Sequence, residues 1–343
     1  MAERGAREAL AITVLNLDAA NYARSVLHAE DRAWVEKNCY VDIWIEVIHA
    51  IGCDPIAMLP FVMAIDFEGD QWTFYKPPHE ELRQLYGLDV QELNCWRPLI
   101  EHAEEHLAAG KLISTEADAW WLPDTSGTDY RRQHTKSTIV LNDLDVAARR
   151  LGYWHNAGYF VLDGEDFART FRLDIEPDPA FMPFYAELVR LDRVVRRAPA
   201  ELAAMSGGLL SHTLARRPAT NPVARFATRF AADLPKIQDK GLAHYHAWAF
   251  ATVRQLGSAA ELAALYLRWL AGAGTLGPAT IDDAGQFAPA VQAYERISNG
   301  AKTFILKAAR AVNGKKPFDG TAIFDDWAKA WDQAMTTLVN EAD

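Results

Sequence analysis

Apolar residues recur at three- and four-residue intervals through residues 38–55, NCYVDIWIEVIHAIGCDP. Trp44, Val47, Ile48 and Ile51 lie on one stripe, and this period predicts a buried helix that Gly52 and Pro55 close. The same period predicts a short helix in PHEELRQLYGL, ended by Gly87, and another over 96–109 with Leu99, Ile100, Ala103 and Leu107 on one face. Between these the pattern changes. MLPFVMAIDFEGDQWTFYK, rich in β-branched and aromatic residues around Glu68-Gly69-Asp70, predicts a strand pair. KLISTEADAWWLP predicts a strand stopped by Pro123, and after the polar loop DTSGTDYRRQ two β runs follow, 135–142 and 157–163. They are expected to pair antiparallel, with VAARRLGYWHN between them helical or looped. Residues 1–37 are expected to form an irregular or helical lead-in.

At EPDPAFMP the texture breaks. Beyond residue 176 strand signals fade and alanine and leucine rise, predicting helices over 184–197, 200–216, 222–232, 242–256, 259–271, 287–312 and 322–340. The chain therefore reads as α+β, in two domains: 1–175 mixed and 176–343 all-helical. With 343 residues, two cores are the natural expectation.

Charge narrows the function. Lys plus Arg number 35 against 46 Asp plus Glu, a net charge of −11, which argues against nucleic acid as a partner. Residues 190–240 run the other way, with ten Lys or Arg and four Asp or Glu. Arg193, Arg196, Arg197, Arg216 and Arg217 are thus candidates for docking an acidic partner, although charge runs also serve as solvated helical faces. Three cysteines (Cys39, Cys53 and Cys95) make no disulfide framework and suit a reducing cytoplasm. No long apolar run or signal-like start is read, so neither a membrane span nor export is expected.

Cys39 stands at the start of its helix. Unpaired N–H groups and the positive dipole end make such a position favourable for a thiolate, the nucleophilic form, although a free cysteine often acts as a small buried hydrophobe. A thiol enzyme also needs an imidazole and a third group to hold it. His134, at the mouth of the 135–142 strand, is the candidate base. If that strand pairs with 157–163, Asp163 falls beside it, with Asp166 in reserve and His155 and Asn156 at the far end. Asp118, Trp120, Tyr130 and His155 are candidates for lining a substrate pocket. His102 and His106 share helical spacing but lack a third ligand, so no metal is expected.

The run from Leu27 to Leu173, with NCYVDIWIEVIHAIGCDP, DFEGDQWTFYK, LYGLDVQELNCW, DAWWLPDTSGTDYRRQHTKSTI and GYWHNAGYFVLDGEDF, resembles an uncharacterised bacterial domain family. That family is more distantly similar to the papain-like acyltransferase H of butirosin biosynthesis. The resemblance implies a papain-like (cysteine-peptidase-like) N-terminal domain carrying Cys39 as nucleophile, His134 as base and Asp163 as orienting acid. It implies an acyl or aminoacyl group taken from the phosphopantetheine of an acidic carrier protein and passed to a small amine, with no cofactor bound to the chain itself. The glutamine that papain-type enzymes place before the cysteine is missing, so Asn38 is the candidate oxyanion donor. A thioesterase or peptidase-like hydrolase on the same residues, and a non-catalytic scaffold that binds a carrier protein, remain open alternatives.

Overall fold

The computed structural model describes residues 11–176, 182–276 and 281–342. Helix α1, Cys39–Ala50, forms where the apolar period predicts it. The Asn38 side chain caps its first turn by accepting the N–H groups of Tyr40 and Val41 at 3.1 and 2.9 Å. Trp44, Val47 and Ile48 are wholly buried. Gly52 ends the run at φ 75°, a conformation a side chain resists, and its N–H returns to the His49 carbonyl. By their contacts the residues form two units. Met1–Val26, Asp42–Cys53 and Leu82–Arg196 make the first, and Leu27–Val41, Asp54–Glu81 and Arg197–Asp343 the second.

The strands among the described residues are β1 (Ile12–Thr13), β2 (Phe67–Glu68), β3 (Gln71–Trp72), β4 (Asp89–Glu92), β5 (Leu112–Asp118), β6 (Lys136–Asp145), β7 (Arg150–His155), β8 (Gly158–Asp163) and β9 (Ala186–Arg190). In the first unit they build one antiparallel sheet in the order β4-β9-β5-β6-β7-β8, with β1 also paired to β6. Helix α2 (His79–Tyr86) ends at Gly87, φ 73°, as the sequence predicts, and helix α3 (Leu99–Ala108) covers one face of the sheet. Leu99, Ile100, Ala103 and Leu107 meet Ile113, Ile139, Leu141, Leu151 and Tyr153, and Phe167 of α4 (Gly164–Thr170) closes the same core. On the other face Trp154 packs on Tyr159, ring centroids 5.1 Å apart, and its indole donates to Tyr22, whose hydroxyl binds the buried Glu46 of α1.

Several segments depart from the sequence reading. Residues 146–156, expected as helix or loop, supply β7, which lies between β6 and β8 and keeps them from pairing. Its buried residues face both ways, so the alternation that marks a half-exposed strand is absent. Residues 184–197 supply β9 rather than a helix. That strand sits between β4 and β5, and its buried Glu187 takes the hydroxyls of Ser114 and Tyr185 at 3.1 and 2.8 Å. It also lies beyond the break expected at 175/176, and part of the EPDPAFMP segment falls outside the described residues. Finally, MLPFVMA is not a strand but part of a 3₁₀ helix, Pro55–Ala64. Asp54 caps it and Pro60 withholds the N–H a ladder needs. Only β2 and β3 realise the expected hairpin.

The second unit holds α5 (Pro199–Leu214), α6 (Pro222–Lys240), α7 (Leu242–Ala251), α8 (Val253–Ala271), α9 (Ala288–Asn313) and α10 (Thr321–Ala342). The break expected near 257 falls instead at Thr252, where the backbone turns to φ −123° and ψ −80°. Phe226, Phe230, Phe304, Phe324 and Trp327 form its aromatic centre. An antiparallel sheet in the N-terminal region and helices in the C-terminal region make the architecture α+β. Among the described residues no helix is long and apolar enough to cross a membrane.

Candidate functional site

Strand β5 ends on Asp118, whose carboxylate does two things. Oδ1 accepts the Trp120 N–H at 3.0 Å, starting the 3₁₀ turn Ala119–Trp121, and Oδ2 meets His134 Nδ1 at 2.6 Å. The β5–β6 register makes this meeting unavoidable, because Asp118 pairs with Lys136 and the Ala119 N–H reaches the Thr135 carbonyl at 2.8 Å. Trp120 then lies flat on the imidazole, centroids 4.5 Å apart and planes 12° from parallel. A carboxylate on Nδ1 fixes the ring and its tautomer, and leaves Nε2 for exchanging a proton. The His134 side chain is 68% exposed, so that exchange is open to a molecule from outside.

The loop between these two residues is tied down along its length. The Thr125 carbonyl takes the N–H groups of Thr128, Asp129 and Tyr130. Burial opposes the charge of Asp129, yet hydrogen bonds from Thr128, Thr135 and Gln133 outweigh it and hold the carboxyl below its usual range. The Tyr130 hydroxyl and the Arg131 guanidinium both bind Asp166, at 2.8 and 2.5 Å, and Arg131 stacks over Trp121.

Beneath the loop lies a second histidine. His155 Nδ1 meets Asp124 Oδ2 at 2.5 Å, and its Nε2 meets the Ser137 hydroxyl at 2.6 Å. Tyr153 donates to the other Asp124 oxygen, and burial together with that carboxylate drives its phenol far above the ordinary range. Hydroxyl, imidazole and carboxylate stand here in the order of a nucleophilic triad. They are sealed, however, with the His155 and Asp124 side chains 1% and 4% exposed, and the cluster acts as a fastener between β6, β7 and the loop.

These placements revise the expected site. Asp163 pairs with Arg150 at the far end of β7, while Ile139 and His155 mark the end near His134, so the acid beside the imidazole is Asp118 and not Asp163. Of the expected pocket residues, Asp118 and Trp120 are brought to His134. Tyr130 is bound to Asp166, and His155 is enclosed. The reserve Asp166 holds Tyr130 and Arg131 and not the imidazole, and Asn156 forms the tight β7–β8 turn at φ 45°. A correct pairing of 111–118 with 135–142 is the signal that would have found Asp118.

Cys39 is the first residue of α1 and is partly exposed; its contacts group it with the second unit, whereas His134 belongs to the first. Asn38 is committed elsewhere than an oxyanion, its oxygen to the helix cap and its amide to the Tyr75 carbonyl at 3.1 Å. The five docking arginines are divided as well. In the first unit Arg193 is exposed and Arg196 donates to the Ile51 carbonyl; in the second Arg197 pairs with Glu201, Arg216 with Glu81, and Arg217 binds the Leu214 carbonyl. Among the described residues no group of three or more metal-ligating side chains assembles.

An α+β chain whose sheet presents an oriented, exposed carboxylate–histidine pair, followed by a helical region, is the class these features define. Residues 23–191 match the DUF1839 N-terminal domain and residues 199–340 the DUF1839 C-terminal domain. The chain belongs to this two-domain family. No curated protein matches it.

Proposed function

We propose that the chain is a cysteine-dependent acyl or aminoacyl transferase with a papain-like N-terminal domain, working in the cytoplasm on acyl groups carried by the phosphopantetheine of an acidic carrier protein. The Asp118–His134 pair is the observation that carries this reading, because an exposed imidazole held by a carboxylate is the proton acceptor that acyl transfer to an amine needs. A cysteine heading α1 supplies the candidate nucleophile, and the basic character of 190–240 suits an acidic carrier. In the first step the Cys39 thiolate forms a bond to the thioester carbonyl carbon, and the carbon–sulfur bond to pantetheine breaks, releasing pantetheine as its thiolate. In the second step the amine nitrogen attacks the enzyme thioester, a general base takes the amine proton, and the Cys39 thiolate leaves.

Intact-mass measurement after incubation with acylated pantetheine tests the reading. The expected result is one acyl group added at Cys39, lost on addition of a suitable amine, and no adduct in Cys39→Ala. Release of free acid with every amine tried converts the reading to a thioesterase. Acyl release at the normal rate by Cys39→Ala removes the cysteine mechanism altogether.

A further inference from the structure

Residues 33–38, which lead into α1, have no helix or strand of their own to satisfy their backbone groups. Lys37 Nζ donates to the Val35 carbonyl at 3.2 Å, and further partners come from more than two hundred residues away. Glu261 of α8 takes the N–H groups of Ala33 and Trp34, one on each carboxylate oxygen, at 2.9 and 3.2 Å. Arg254, on the same helix, donates to the Glu36 carbonyl at 3.0 Å. From α9, Ser298 accepts the Trp34 indole N–H at 2.9 Å and Lys302 donates to the Ala33 carbonyl at 2.8 Å. Ser258 shares a 2.6 Å hydrogen bond with the Tyr75 hydroxyl, and the Tyr75 carbonyl receives the amide of Asn38, the residue that caps the first turn of α1. Residues 254, 258 and 261 fall on one face of α8, and 298 and 302 on one face of α9, so the polar groups converge on one short segment. Gly257 lets the helix come this close, because a Cβ there would stand 2.5 Å from the Trp34 ring. All of these residues belong to the second unit.

We infer that Glu261, supported by Arg254, Ser258, Ser298 and Lys302, is a positioning residue for Cys39: the C-terminal domain fixes 33–38 and through Asn38 sets the turn on which the thiol stands. This rests on the transferase reading only in naming Cys39 as the reacting group. The C-terminal domain then frames the turn that bears Cys39. The tighter consequence is that a carboxylate on α8 controls a turn it never touches.

The test compares Glu261→Ala and Glu261→Gln with wild type in the full chain, by backbone hydrogen exchange and by acyl-adduct formation on Cys39. Losing a charged acceptor for two N–H groups should speed exchange at Ala33, Trp34, Tyr40 and Val41 by about tenfold in the alanine variant. Adduct formation at saturating acyl-pantetheine should slow while half-saturation stays put, and glutamine, which keeps one acceptor oxygen, should restore part of both effects. Alkylation of Cys53 and Cys95 serves as the control and should stay within about twofold of wild type, since a change at one segment leaves distant ones closed. Unchanged exchange at Tyr40 and Val41 overturns the inference, as does an equal rise at all three cysteines in the glutamine variant. If the alanine variant does not fold, the glutamine variant decides by the same exchange rates. Failure of wild type to form any adduct defeats the transferase reading and leaves the exchange result to judge this one.

Discussion

Asp124 offers the sharpest check on the frame behind His134. Its side chain is 4% exposed and accepts from Tyr153 on one oxygen and from His155 Nδ1 on the other. Alanine there strands both donors in the interior. At about 1–3 kcal/mol for each unsatisfied group, Asp124→Ala should cost roughly 2–6 kcal/mol. Asparagine is a different perturbation despite losing the same charge. Its carbonyl still takes the Tyr153 hydroxyl, and its amide can donate to Nδ1 if His155 moves its proton to Nε2 and Ser137 accepts where it had donated. Asp124→Asn should therefore cost under about 1.5 kcal/mol, the scale of one ordinary hydrogen bond. Equilibrium unfolding in urea, followed by circular dichroism and by tryptophan fluorescence, measures both. For a unit of this size the alanine variant's melting temperature should fall by roughly 4 °C or more, against a small change for asparagine. Equal losses in the two variants, or an alanine variant within about 0.5 kcal/mol of wild type, would refute the account of this cluster as a hydrogen-bonded fastener.

Asp118→Asn removes the charge that orients His134; if the pair is the general base of the proposed transfer, acyl transfer should drop by roughly 100-fold, the lower range for general-base loss, while stability moves by under about 0.5 kcal/mol because the pair is exposed. A variant of normal activity removes the pair from the mechanism. Burial holds the Glu81 carboxyl above its ordinary 4.5 against the pull of Arg216, and its Oε2 lacks a hydrogen-bond partner. Below pH 4.5 that carboxyl is protonated in both folded and unfolded chains and brings no charge penalty; the penalty grows as pH rises through the higher folded value. Glu81→Gln should thus raise the melting temperature at neutral pH and much less in acid, and an equal shift at both would contradict the sign. Phe304 is fully buried with Phe230, Phe324 and Trp327 at centroid distances of 5.3, 5.1 and 5.6 Å. Phe304→Ala should cost about 3–5 kcal/mol in chemical denaturation, and a loss under about 1 kcal/mol would mean that this aromatic centre is not tightly packed.

Helices such as α1 and α3 were legible because their evidence is local. α1 announces itself by Trp44, Val47 and Ile48 at helical spacing, and α3 by Leu99, Ile100, Ala103 and Leu107. Strand β6 and the candidate base at its mouth were legible for the same reason, as a β-branched run after a polar loop. Strands β7 and β9 were not. Both lie inside the sheet and bury residues on two faces, which erases the period-two signal and lets a helix compete on composition alone.

From the sequence alone came the α+β division, the cysteine at a helix start, and the histidine at a strand start, since each depends on residues within a few positions of one another. Only the tertiary structure decided that Asp118 and not Asp163 holds His134, that Asp124 and His155 pair beneath the loop, and that Glu261 binds the approach to Cys39. Strand register and contacts across hundreds of residues depend on which surfaces the whole chain can bury together, and one unforeseen strand, β7, is enough to carry an acid from one end of the sheet to the other.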